Sequence, residues 1–513
     1  MKFRTTLLLI ALIAAIALGG IMVAAQDDVV SVTLVATSAP RSMDPHGIDR
    51  THPIVLPYIL DTLVHQDAAG EIQPYLAESW DVSDDGLTIT FYLRDDVLFS
   101  NGNPVNADAV IFTFQRLLEV GQSSLIYGAI SNVNEFEKVD DYTVTFHLTA
   151  PSATLFSSLS YVWGGIIDPE ATAALGEDMA QKPVGSGPYL VEEVIPQNSI
   201  TLVRNPYYNG QRPTDDPEQP SNIDEIVMRF VTDQAARVDA MITGEVDIAI
   251  LTSAPQLERI TETEGFGILD DPSRGLAYLG FNTARAPFDN VLMRRAVAQA
   301  VDKALLLDIA APNGLGEAMD VFIPPVIFGY NPELVEEALT YNPEAAAQLV
   351  EEAGYDGSTI IILTSNFHPQ PVIATLLQAQ LLDIGIDSEI QVVDTSASRV
   401  QATAGEFDIL ITRYNGNDPD ALRSYLSAER IGRTNYSAYA NPGLDALTAQ
   451  GLVESDPAVR FEIYTEAQRL IMADMPWVPL YMPINKFAVN TARITGAETL
   501  HSFMVLDNAV VGE

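Results

Sequence analysis

Two stretches of the chain alternate apolar and polar residues with period two, as half-buried strands do. In LTITFYL, Leu87, Ile89, Phe91 and Leu93 share one face and Thr88, Thr90 and Tyr92 the other; in YTVTFHL, Tyr142, Val144, Phe146 and Leu148 face inward. The turn-forming DDG at Asp84 to Gly86 precedes the first strand and Asp140-Asp141 the second, so both read as antiparallel. Between them, NADAVIFTFQRLLEV predicts a helix capped by Asn106.

The later half has a different pattern. NPEAAAQLVEEAG predicts a helix with Asn342 as cap, Pro343 in the first position and Gly354 as the stop. The buried strand TIIILTS follows, then the helix QPVIATLLQAQLLDIG, the strand SEIQVVD, a short helical stretch around Arg399 and the strand FDILITRY. This alternation implies βαβ units around a parallel sheet. The segment TRYNGNDPDALRS, residues 412–424, then sits at the carboxyl end of a parallel strand, where open α/β sheets place ligands.

The chain has 513 residues, too many for one hydrophobic core, and predicts roughly three domain-sized units. With 47% apolar and 19% charged residues it can fold, and the net charge of −42 excludes phosphate backbones and anionic lipid as partners. The acidity reads first as a solubility or salt adaptation and second as a field that attracts cations. At the start, Lys2 and Arg4 precede the apolar run LLLIALIAAIALGGIMVAA, and Val23 and Ala25 satisfy the small-residue rule before Gln26, so residues 1–25 read as a secretory signal peptide. An uncleaved anchor is the alternative. No other run reaches about 18 apolar residues, so the mature chain is expected to be soluble in the periplasm or outside the cell. The absence of cysteine excludes disulfides, thiolate metal sites, a cysteine nucleophile and a lipidated cysteine tether.

Enzyme signatures are poor. There is no G-x-S-x-G elbow, H-E-x-x-H pair or phosphate-binding G-x-x-x-x-G-K-[ST] loop. The six histidines are dispersed, and His46 and His52 lack a third partner, so neither a metal nor a cofactor is expected. Asp418 and Asp420 could serve as acid and base in glycoside hydrolysis, which keeps a secreted glycosidase as the rival class. Two carboxylates in one proline-containing turn give no reason for one to hold a proton. NGNDPDALRS also lacks the distal bidentate glutamate of a calcium loop.

Several segments together resemble the family 5 solute-binding proteins of ABC transporters, which include oligopeptide-, dipeptide- and nickel-binding proteins. They are LAESWDVSDDGLTITFYLRDDVLFSNGNPVNADAV (76–110), PVGSGPYLVEEVIPQNSITLVRNPYYNG from Pro183, GEVDIAI from Gly244, YLGFNTARAPFDNVLMRRAVAQAVDK from Tyr278, EEAGYDG from Glu351 and MPWVPLY from Met475, in family order across nearly the whole mature chain. The resemblance implies an α/β clamshell of the type II, cluster C periplasmic-binding-protein kind. Lobe 1 would comprise 26–70, 182–275 and 485–513, with an extra subdomain at 71–181, and lobe 2 would comprise 276–484. It implies a monomer that closes on a peptide or other polar solute and delivers it to membrane permease subunits, with no chemistry on the solute. Oligosaccharides and nickel complexes are the alternative cargoes.

Candidate ligand contacts come from turns at strand ends. They are Arg413, Tyr414, Asn415, Asn417, Asp418 and Asp420 in the 412–424 segment, His46 in SMDPHGID, and Phe367 and His368 in NFHPQ. Tyr127 and Trp163 are candidate stacking aromatics. In peptide-binding relatives an aspartate a few residues before the D-P pair holds the peptide's α-ammonium; the matching position here is Asn415, which puts ordinary peptide recognition in doubt. Trp80, Pro476-Trp477, Arg294 and Asp302 read as structural, and Gly185-Ser186-Gly187 as a backbone requirement.

Overall fold

The computed structural model describes residues 29–47, 54–124, 126–210, 212–501 and 503–512. The predicted signal peptide and His52 lie outside them. Local elements follow the patterns above. Thr88–Leu93 buries Ile89, Phe91 and Leu93, and Thr143–Leu148 buries Val144, Phe146 and Leu148; the two pair antiparallel within a four-stranded sheet. The helix Ala107–Val120 starts where Asn106 accepts a hydrogen bond from the Ala109 amide at 3.1 Å. Asn342 caps Pro343–Glu352 in the same way, accepting from the Ala345 amide.

The strand Ile360–Ser365 lies between Ser388–Val393 and Ile409–Asn415 and is parallel to both, as the helix–strand alternation requires. Ile409–Asn415 pairs antiparallel with Gly275–Phe281, whose seven residues are all buried. A second sheet region is built on Ser31–Ala36, which is parallel to Glu225–Phe230 and to Ile248–Leu251.

One strand joins the two regions. In Trp477–Asn490, residues Trp477 to Tyr481 pair with Gly275–Phe281, while Ile484 to Asn490 pair with Phe266–Pro272. Phe266–Pro272 and Gly275–Phe281 are themselves separated only by Ser273 and Arg274. The chain therefore crosses between two lobes twice, side by side, and the Ser273 amide bonds Pro483 O at 2.9 Å at the crossing.

Each lobe has its own core. Leu34, Ile226, Met228, Ile248 and Phe487 centre one; Phe281, Val297, Ile362, Leu377 and Leu480 centre another, on one face of the second lobe's sheet. Tyr278, Tyr414, Tyr464 and Trp477 pack on its opposite face. The four-stranded subdomain packs Phe91, Phe114 and Phe146 around the buried face of its helix. Trp477 is fully internal and donates its indole N–H to Ser437 Oγ, while Trp80 packs at the edge of the subdomain core. Arg294 donates to the carbonyls of Phe288 and Asp474, and Asp302 caps the following helix. At Gly185, a Cβ would lie 2.2 Å from Ile59 O, and at Gly187 2.7 Å from Ile59 C. These glycines exist to let two backbones meet.

The first lobe is tied to the C-terminal tail by buried charge. Arg212 donates to Asp61 Oδ1 at 3.0 Å and to Asp507 at 3.4 Å; Ser186 donates to the second Asp61 oxygen and Thr214 to Asp507. Removing the cation would leave two buried carboxylates uncompensated. Arg212→Ala is therefore expected to lower unfolding stability by about 3–5 kcal/mol, read as a fall in the urea midpoint, whereas an exposed pair such as Arg259–Asp239 should contribute less than about 1 kcal/mol.

Candidate functional site

The 412–424 segment lies at the crossing. The Gly416 amide donates to Arg274 O at 3.0 Å, and Asn415 pairs with Gly275, so the turn is bonded to the link between the lobes. Gly275 has no side chain because Asn415 lies over it; a Cβ there would be 2.2 Å from Asn415 Oδ1. Along Ile409–Asn415 alternate residues face opposite ways, which puts Arg413 and Asn415, both exposed, on one side and Tyr414 on the other.

The candidates divide accordingly. Tyr414 is buried against Tyr278, Tyr425 and Trp477 and donates its hydroxyl to Phe322 O; burial raises its pKa well above the usual value. It is a core residue, placed there by strand periodicity and not available to stack on a ligand. Asp418 is buried and clamped by Arg460, whose two terminal nitrogens reach its two oxygens at 3.0 and 2.6 Å. Asp420 is held in the same bidentate manner by Arg423 at 2.7 and 2.8 Å; burial raises its pKa, against the opposing pull of that arginine. Both carboxylates thus have internal partners, and through them they shape the turn; Asp418 also lines the cavity between the lobes.

Asn417 and Asp418 join the lobes. Asn417 Nδ2 donates to Ser157 O at 3.0 Å, Ser157 Oγ donates to Asp418 Oδ2 at 3.4 Å, and the Ala153 amide donates to Leu452 O at 2.8 Å. The subdomain therefore touches the second lobe directly. A cavity of about 470 Å³ opens beside these contacts, walled by Trp80 and Phe156 from one lobe and Phe328 and Arg460 from the other.

The other candidates are dispersed. Phe367 is exposed beneath the Arg413 guanidinium, 4.7 Å from ring centroid to cation, and His368, next to it, is exposed as well. Trp163 stacks on Tyr161 at 4.8 Å, and Tyr127 packs at the rim of the subdomain core. His46 is fully buried in the first lobe, where its Nδ1 accepts from Arg116 at 2.7 Å while Arg116 also binds Asp44. The cause is local: a histidine two residues after an aspartate in a turn serves a half-buried arginine from the helix Ala107–Val120.

Sequence reasoning missed a second set of residues. A cavity of about 100 Å³ beside the crossing is lined by Gln66, His65, Tyr161, Arg212, Arg274 and His501, among others. Arg274 is buried, its guanidinium lies over the Tyr161 ring at 5.6 Å, and its Nη2 is 2.5 Å from His501 Nε2. That same nitrogen is 2.8 Å from Gln66 O. One ring nitrogen cannot accept from the arginine and donate to the carbonyl together. Arg274 Nε and Gln66 Oε1 are also buried with no hydrogen-bond partner among the described residues. The only sequence signal was a cation at the mouth of a wholly apolar strand, RGLAYLGF; its partners lie more than a hundred residues away on either side.

Among the described residues, no group of three or more His, Cys, Asp or Glu could hold a metal, and no helix is long and apolar enough to cross a membrane.

Two lobes joined by paired crossing strands, with a polar turn and a cavity at the crossing, define a clamshell binding protein. The chain belongs to the bacterial extracellular solute-binding proteins, family 5, whose model matches residues 71–431. It is 30% identical to heme-binding protein A of Haemophilus influenzae over 83% of this chain and 81% of that one. It is 27% identical to di/tripeptide-binding protein 1 of Pseudomonas aeruginosa over 91% and 93%. Among solved structures it resembles HbpA2 from Haemophilus parasuis, with a TM-score of 0.84, 25% identity and coverage of 94% and 100%. It also resembles a nickel ABC transporter protein from Bacillus halodurans, with a TM-score of 0.79, 26% identity and coverage of 94% and 99%.

Two outcomes follow from this geometry. Asn417→Ala removes one hydrogen bond that exists only when the lobes touch, so it should shift the clamp toward the open form by about 0.5–1.5 kcal/mol, seen as a larger radius of gyration in scattering. Burial depresses three histidines, His46 and His501 to about 3 and His65 to about 4. A folded pKa below the unfolded value of about 6.5 gives stability that is complete above that pH and is lost as pH falls through the window toward 3 to 4. Urea midpoints should therefore drop from pH 7 to pH 5, and less steeply in His46→Gln.

Proposed function

We propose that this chain captures a polar solute, with peptides as the default class, between its lobes and presents it to permease subunits of an ABC importer. The observation that carries this reading is the cavity of about 470 Å³ walled by Trp80 and Phe156 from one lobe and Phe328 and Arg460 from the other, beside the contacts of Asn417 and Asp418 with Ser157. The relatives support it through their names, which record di- and tripeptides, heme and nickel as cargo. Closure pivots on residues 272–275 and 483–485 and moves 276–484 as a body against the rest, with 71–181 riding on the first lobe. ATP hydrolysis belongs to other subunits, the chain acts as a monomer, and the leader directs it out of the cytoplasm.

The test is calorimetry of the mature protein against di- and tripeptides, glycans, heme and nickel–histidine, with scattering on each mixture. Binding with a stoichiometry of one and a smaller radius of gyration for one class supports the reading and names the cargo. Conversion of any probe into product, with unchanged scattering for all, overturns it.

A further inference from the structure

We propose that the cavity between the subdomain and the second lobe takes a cargo group that is both apolar and cationic, an ammonium carried on a ring-sized hydrocarbon body. This rests on the solute-clamp reading above and adds the chemistry of the part of the solute that meets the subdomain.

The walls set the body. Trp80 and Phe156 line the cavity from the subdomain with ring centroids 5.3 Å apart, and Phe328 lines it from the second lobe. All three rings are half-buried, and Val82 beside them is 40% exposed, so this apolar surface is only partly covered by the protein itself. At one end the turn at Gly70 closes on Phe328, where a Cβ on the glycine would lie 2.9 Å from the Phe328 nitrogen. The enclosed volume of about 470 Å³ is that of a small-molecule site.

The polar groups set the charge. Three carboxylates line the cavity, those of Glu71, Asp418 and Glu454, against one guanidinium, that of Arg460. That guanidinium is already engaged: it is bidentate to Asp418, donates to Gly451 O at 2.8 Å, and lies 5.5 and 5.1 Å over the rings of Phe328 and Tyr464. Glu71 stands on the first-lobe side and Glu454 on the other, and among the described residues no cation lies within ion-pair distance of either.

Gln66 adds an observation from inside the protein. It is 3% exposed and lines both this cavity and the smaller one at the crossing. Its Nε2 donates to Gly70 O at 2.9 Å, which fixes the orientation of the amide and leaves Oε1 buried with no partner among the described residues. The walls thus leave open carboxylates, an amide oxygen and aromatic faces, and an N–H-bearing cation satisfies all three. An anionic group would meet like charge, and a neutral apolar group would leave the buried oxygen unbonded. Cation recognition is thereby moved to the subdomain side of the cleft, away from the uncharged Asn415. The net charge of −42 draws the same class of solute toward the protein.

The experiment uses the mature wild-type protein and four probes in calorimetry: tryptamine, its neutral counterpart tryptophol, the anionic indole-3-acetate, and ethylammonium, which has the charge without the ring. The expected result is that tryptamine binds at least tenfold more tightly than each of the others. Glu454→Gln should weaken tryptamine by roughly 3- to 10-fold and leave tryptophol unchanged, whereas Trp80→Leu should weaken both by roughly 3- to 30-fold. Circular dichroism checks the fold of both variants; should Trp80→Leu not fold, Glu454→Gln and the wild-type ratios decide. Tryptophol or indole-3-acetate binding as tightly as tryptamine overturns the cationic assignment, and ethylammonium doing so overturns the apolar one. Tryptamine binding that is unchanged in both folded variants overturns the assignment to this cavity. If tryptamine does not bind, the proposal fails, and closure around peptides, glycans, heme or nickel–histidine then judges the clamp on its own.

Discussion

Everything in this molecule depends on two strands that pass between the lobes without losing their hydrogen-bond partners. Trp477–Asn490 is one continuous strand of 14 residues, and it exchanges one antiparallel partner for another as it leaves the second lobe. Backbone amides buried at a domain junction must be bonded, so a crossing made of paired strands satisfies them while leaving two short segments as the only places where dihedrals can change. Motion is then confined to rotation about the crossing, and whatever lies beside it experiences both lobes. This is why the polar turn after Ile409–Asn415 and the cavities beside the crossing matter more than pockets elsewhere.

The acidic residues follow a related rule. A chain with 69 Asp and Glu against 27 Lys and Arg has few cations to spare, yet arginines are used to neutralise carboxylates in buried places: Arg460 at Asp418, Arg423 at Asp420 and Arg212 between Asp61 and Asp507. Buried charges require partners, whereas surface carboxylates are solvated by water. The subdomain contacts through Ser157 and Asn417 are of the opposite kind, neutral and few, which suits an interface that must open.

Much of the fold was legible because periodicity is a local signal. The alternation in LTITFYL and YTVTFHL, the caps at Asn106 and Asn342 and the parallel strands of the second lobe all depend on residues a few positions apart. The candidate site was legible only in outline. TRYNGNDPDALRS was correctly placed at a strand's carboxyl end, but its composition suggested ligand chemistry for Asp418 and Asp420. The arginines that occupy them were not visible: Arg460 is 42 residues further on, and Arg423 looked like an ordinary helix residue. Tyr414 shows the same limit. Its aromaticity suggested stacking, while the strand's own alternation turns it into the core.

By itself the sequence determined the elements, the mixture of an antiparallel subdomain with a parallel lobe, the family, and the exclusion of thiol chemistry, because composition and short-range pattern carry those properties. Tertiary structure alone decided which charges are paired. Arg274, Gln66, Tyr161 and His501 are brought together from four distant parts of the chain by the crossing strands and the returning tail. Whether an arginine is a solvated surface group or an unneutralised buried cation depends on distances of a few ångströms in space, and no local pattern encodes them.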